Sequence, residues 1–114
     1  MKENLKKNYY NFFLPIIKEN SNTEFILFFP PYSYLTYRVL EEKGVLKNYL
    51  EFKKFLKKDL LKYKNVKLYD FQNDSSIIYN LELYKDITHY HQKITSKILD
   101  YIKENKFLVT NANK

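Results

Sequence analysis

Apolar and polar positions recur along this chain with changing period, and each period predicts an element. Leu5, Tyr9, Phe12, Phe13, Ile16 and Ile17 fall near helical spacing and predict a helix over residues 3–19. Pro15 lies inside it and is expected to kink or divide it, because proline lacks an amide hydrogen and crowds the carbonyl four residues back. Asn20-Ser21-Asn22 is a polar break. Glu24-Phe-Ile-Leu-Phe-Phe29 is a continuous apolar run stopped by Pro30-Pro31. Apolar on both faces, it reads as a buried strand of a parallel sheet. A helix is expected from about Ser33 to Lys43, with Ser33 as N-cap and Gly44 as its stop. Another covers about residues 45–63, with Leu46, Tyr49, Leu50, Leu56, Leu60 and Tyr63 inward and the lysine pairs at 53–54 and 57–58 outward. Asn65 to Phe71 reads as a second strand, alternating through Val66, Leu68 and Tyr69. A long connection over residues 72–88, with a turn of helix at 74–80, leads to a last helix from about His89 to Glu104. Ile94, Ile98, Tyr101 and Ile102 mark its inner face. Phe107-Leu108-Val109 is a docked tail or a third strand.

The order helix, strand, two helices, strand, loop, helix is a βαβα unit with a helical lead-in, hence an α/β class. At 114 residues the chain is read as a single domain, residues 1–114. Two parallel strands make a poor independent sheet. One of them is therefore expected to expose an edge, or to have it covered by another chain, a second copy or a missing N-terminal segment.

Composition narrows the partners. The chain is 45% hydrophobic and carries a net charge of +7, with Arg38 as its single arginine. Arginine dominates bidentate phosphate and guanine recognition, so a dedicated nucleic-acid reader is disfavoured. A solvated lysine surface is the default, with acidic polysaccharide or anionic lipid headgroups left open. The absence of cysteine excludes disulfides, thiolate metal sites and a cysteine nucleophile. The basic start has no apolar signal core behind it, and no stretch approaches the ~20 apolar residues of a membrane span. As given, the chain reads as soluble and cytoplasmic. Cell-envelope association is the expectation if it is a piece of a longer protein.

The most informative chemistry is Tyr84-Lys-Asp86-Ile-Thr-His89-Tyr90, which sets a carboxylate three residues before an imidazole. It follows the apolar strand with its turn, Phe28-Phe-Pro-Pro-Tyr-Ser33, and the second strand, Val66-Lys-Leu-Tyr-Asp-Phe71. In this order the three segments resemble the C-terminal half of the SGNH (GDSL-type) hydrolases and acyltransferases, over about residues 20–105. The resemblance implies a flavodoxin-like parallel sheet of which this chain holds a part, with residues 24–29 and 66–71 as its fourth and fifth strands. It implies Asp86 and His89 as catalytic residues, and O-acyl groups, in the first instance of carbohydrate, as substrate. No Gly-Asp-Ser is present, and the strands that carry the family's serine and oxyanion donors have no counterpart. The expected partners are a complementary N-terminal segment or further copies of the chain. No cofactor and no metal are expected.

Plainer readings stand beside these. Asp86 or Thr88 could cap the last helix, with His89 an exposed first-turn residue. His89 and His91 could bind zinc with Asp86, but positions i and i+2 of a helix do not share a face. Ser33, Ser75 and Ser76 lie in the wrong places for the family's nucleophile. Tyr32, Tyr34 and Tyr37 could stack on a sugar or a base, although their spacing beside Leu35 and Val39 is that of packing. Asp70 could lie near the site or cap the turn that follows it. A non-enzymatic basic module that dimerises, or binds an acidic partner through a strand edge, is the alternative function.

Overall fold

Pro15 dictates how the first helix is built. In the computed structural model, which describes residues 2–79 and 92–114, α1 (Lys2–Asn8) runs into a π-helical turn (Tyr9–Phe13) and then α2 (Leu14–Glu19). Asn8, Phe13 and Leu14 keep right-handed helical dihedrals, and the Leu14 N–H donates to the Tyr9 carbonyl five residues back. The proline neither divides nor ends the helix, because the wider turn before it makes room for the ring. The same turn shifts the register. Tyr9, Leu14 and Ile17 are buried, whereas Phe12, Phe13 and Ile16 are exposed. An apolar set that regular spacing would gather on one face is thus split between two.

The other elements are β1 (Phe25–Phe29), α3 (Tyr34–Glu42), α4 (Leu46–Leu60), β2 (Val66–Asp70), a 3-10 turn (Phe71–Asn73), α5 (Ser75–Ile78) and α6 (Gln92–Glu104). The protein is mixed α/β, with β1 and β2 forming a two-stranded parallel sheet. The chain divides into two compact units. The first comprises Met1–Leu27, Lys47–Leu68 and Val109–Lys114; the second comprises Phe28–Leu46 and Tyr69–Leu108. Each strand starts in the first unit and ends in the second.

In the first unit the helix of residues 2–19 packs on α4 through aromatic rings. Phe55 meets the edge of Tyr9 at 5.6 Å between centroids, and Lys6 Nζ lies 4.6 Å from the centre of the Phe55 ring. The Tyr9 hydroxyl donates to Asp59 at 2.7 Å, and Lys62 Nζ donates to the other oxygen of that carboxylate at 3.1 Å. Asp59 and Leu60 are buried while Leu50 is exposed. The inner face of α4 therefore differs from the hydrophobic reading, because Asp59 turns in to take the Tyr9 hydroxyl. Asn65 fastens the turn before β2 by donating to the Ile17 and Asn20 carbonyls, each at 3.1 Å.

Among the described residues the sheet has one side closed by the tail and one without a strand neighbour. Phe25 N–H donates to the Asn65 carbonyl at 2.7 Å, so odd-numbered residues of both strands direct their backbone groups across the β1–β2 seam. On the far side of β2, Asp70 N–H donates to the Phe107 carbonyl and Val109 N–H to the Leu68 carbonyl, at 2.9 and 2.8 Å. The tail is thus docked antiparallel through the Tyr69–Leu108 bridge. The outer edge of β1 has no strand neighbour among the described residues. None of the five β1 residues is fully buried, and Ile26 and Phe28 are 45% and 40% exposed. The expectation of a buried strand is corrected: its sequence is that of an interior strand, but none of it is fully buried and among the described residues it lies at an edge.

The second unit is built around Tyr69, Phe71, Ile94 and Ile98, with Tyr101, Ile102, Phe107 and Leu108 packed against them. Phe71 is its centre, with ring contacts to Phe28, Tyr69, Tyr101 and Phe107 at 5.5–6.3 Å. Two helices end in the same way. Gly44 at φ 72° and Asn105 at φ 54° each take the left-handed position after α3 and α6. Val45 N–H then bonds Leu40 and Lys106 N–H bonds Tyr101, satisfying carbonyls that the helix end leaves free.

Candidate functional site

Open α/β sheets place their sites beyond the C-terminal ends of the strands. Here both ends lie in the second unit. After β1, Pro30 and Pro31 break the ladder and Ser33 starts α3. Ser33 is buried, its carbonyl accepts the Thr36 N–H at 3.0 Å, and its side chain makes no capping bond to the helix. The expected N-cap is met by its backbone alone.

After β2 the chain turns on two carboxylates. Asp70 is buried and accepts from Gln72 N–H at 3.1 Å and from the Asn73 amide at 3.3 Å. It caps the 3-10 turn, which is the structural role open to it from sequence. Asp74 is also buried. One oxygen accepts from Ser76 N–H at 3.1 Å and Ser76 Oγ at 2.6 Å; the other accepts from the Tyr101 hydroxyl at 2.7 Å. This network ties the loop after β2 to α6. Burial, and then the Asp74 bond, push the Tyr101 hydroxyl up to about 12.

The arrangement can orient a loop, but the described part of it lacks an activated nucleophile. The Ser76 hydroxyl donates to a carboxylate rather than to an imidazole, and a carboxylate so placed caps α5. Ser75 is exposed on the same helix. Among the described residues, no group of three or more His, Cys, Asp or Glu side chains could hold a metal ion. Asp86 and His89, the pair proposed from sequence, lie outside the described residues, as does His91. The segment that carries them follows Tyr79, which stacks on Tyr34 at 5.4 Å between centroids. Of the three tyrosines considered as a platform, Tyr34 enters this stacked pair.

Sequence reasoning missed the Asp74–Ser76–Tyr101 network. Asp74-Ser75-Ser76 carries a capping pattern that could have been read. The 27-residue separation of Tyr101 from Asp74 has no local signature. No protein-family model, no curated protein and no solved structure matches this chain.

Proposed function

We propose that this chain is the C-terminal framework of an SGNH-type esterase or acyltransferase acting on O-acyl groups, in the first instance of carbohydrate. In this reading it brings Asp86 and His89 to a site whose serine and oxyanion donors come from a complementary polypeptide. The observation that supports it is the half-built sheet. The far side of β2 is closed by the tail, whereas the outer edge of β1 has no strand neighbour among the described residues, and Ile26 and Phe28 on one of its faces are exposed. An interior-type strand at an edge is what remains when the neighbouring strands belong to another segment.

The chemistry assigned to the pair is general acid–base catalysis. His89 takes the proton from the serine Oγ as the oxygen–acyl bond forms, and returns it to the leaving alcohol as the ester bond breaks. Asp86 fixes the imidazole tautomer and stabilises the imidazolium. The isolated chain is then expected to show no esterase turnover and no labelling by a fluorophosphonate serine probe.

The deciding experiment is an NMR titration of the two histidines in the chain and in Asp86→Asn. A working pair predicts that His89 titrates at lower pH in the variant while His91 is unchanged. Equal behaviour of His89 in both proteins would remove the assignment. A second reading, a non-enzymatic module that pairs through the β1 edge, rests on the same exposed Ile26 and Phe28. It predicts partner binding that is indifferent to Asp86→Asn and His89→Ala.

A further inference from the structure

The net charge of +7 is not spread over the molecule. The first unit holds thirteen basic and five acidic side chains, a balance of +8, and the second holds seven and eight, a balance of −1. The first unit also carries the helix of residues 2–19. Its outward side presents Phe12 at 71% exposure and Ile16 at 52%, one helical turn apart, with Phe13 and Tyr10 also exposed. A helix apolar on two faces is one that is covered on two faces. Tyr9, Leu14 and Ile17 account for the inner face; the outer one faces solvent.

We infer that this outer face docks the first unit onto an anionic lipid surface. Charge selects this occupant. A second copy would bring +8 against +8, which opposes close approach. Nucleic-acid recognition favours arginine, and the only one, Arg38, lies in the second unit. Lysines act as point charges toward a diffuse negative surface, and exposed aromatic and aliphatic side chains enter the headgroup–acyl boundary. No helix among the described residues is long and apolar enough to cross a membrane, so the contact would lie in the interface plane. This inference does not depend on the esterase reading.

The test is flotation of the full chain with vesicles of equal parts phosphatidylglycerol and phosphatidylcholine, against vesicles of phosphatidylcholine alone. Binding is expected only to the anionic vesicles and should weaken with salt. Phe12→Ser and Ile16→Ser, both at exposed positions, should each weaken it. Lys54→Glu or Lys58→Glu, on exposed positions of the first unit, should weaken it by about fivefold or more each. Lys103→Glu, exposed in the second unit, should leave it nearly unchanged. Absence of binding would overturn the inference. So would binding indifferent to Phe12 and Ile16, or equal sensitivity to Lys103 and Lys54. A sedimentation-defined dimer that Phe12→Ser converts to monomer would assign the face to a second copy, and full displacement by polyglutamate an acidic polypeptide; either result overturns it.

Discussion

Both units contain a tyrosine hydroxyl bonded to a buried aspartate at 2.7 Å, Tyr9–Asp59 in the first and Tyr101–Asp74 in the second. In each, the bond joins segments far apart in sequence, and in each the carboxylate has a further partner, Lys62 or Ser76. The surfaces around these clamps are unlike. The first unit is basic and exposes Tyr10, Phe12, Phe13 and Ile16 along one helix; the second is near neutral, packs Tyr69, Tyr101 and Phe107 around Phe71, and its exposed Phe28, Tyr79 and Leu99 come from three different segments. Similar interior devices therefore serve two surfaces, one of which gathers exposed apolar side chains on a single helix. That difference locates the search for a partner on the first unit and the search for chemistry on the strand ends of the second.

The sharpest contrast uses one residue type. Phe71 is fully buried, so Phe71→Ala should cost about 3–5 kcal/mol in denaturant unfolding. Phe12 is largely exposed, so Phe12→Ala should change stability by no more than about 0.5 kcal/mol. A large loss at Phe12 would mean that its ring is covered by the protein itself, and the comparison would fail. Asp59→Ala comes next. It leaves the buried Tyr9 hydroxyl without its acceptor and should cost about 1–3 kcal/mol. Tyr9→Phe should cost less, because Asp59 keeps Lys62.

Alkaline titration separates the clamps by pH. The Tyr101 hydroxyl is neutral when protonated, and folding raises it from 10.0 to about 12. The folded state thus holds this proton more tightly than the unfolded state. The stability it confers is complete below about pH 10 and is lost as pH rises through about 12. Burial and the Asp59 bond raise Tyr9 further, beyond the ordinary phenol range, so its clamp should outlast that of Tyr101. Unfolding of Tyr101→Phe, followed by circular dichroism, should lose part of its dependence on pH between those limits. An unchanged profile would remove Tyr101 from the account.

Much of this fold was legible because its signals are local. Phe25–Phe29 with Pro30-Pro31, the run before Gly44 and the pattern Ile94, Ile98, Tyr101 each announce their element within a dozen residues. What escaped depended on distance or on a register change. Pro15 announced a disturbance, but only the π-helical turn shows that Phe12 and Phe13 leave the core side. Asp59 was lost among lysines because its partner, Tyr9, lies 50 residues away. That β1 has no outer strand neighbour among the described residues is a property of its surroundings, which no single strand encodes. At the site, the capping role of Asp70 could be read from its place at a strand end, while the Asp86–His89 pair rests on motif alone.

A backbone substitution between α3 and α4 asks whether the units are independent. Gly44 sits at φ 72° with nothing within 4 Å of where a Cβ would stand. Gly44→Ala therefore meets no steric obstacle beyond its own backbone, and the left-handed conformation should cost about 1 kcal/mol. The loss falls on the helix end where Gly44 N–H bonds Glu41 and Val45 N–H bonds Leu40. Hydrogen exchange of the variant should accelerate in α3. If the units open separately, amides of the helix of residues 2–19 and of α4 keep their protection. If those amides accelerate by the same factor, the two units unfold as one, and the contrast between them is one of surface only.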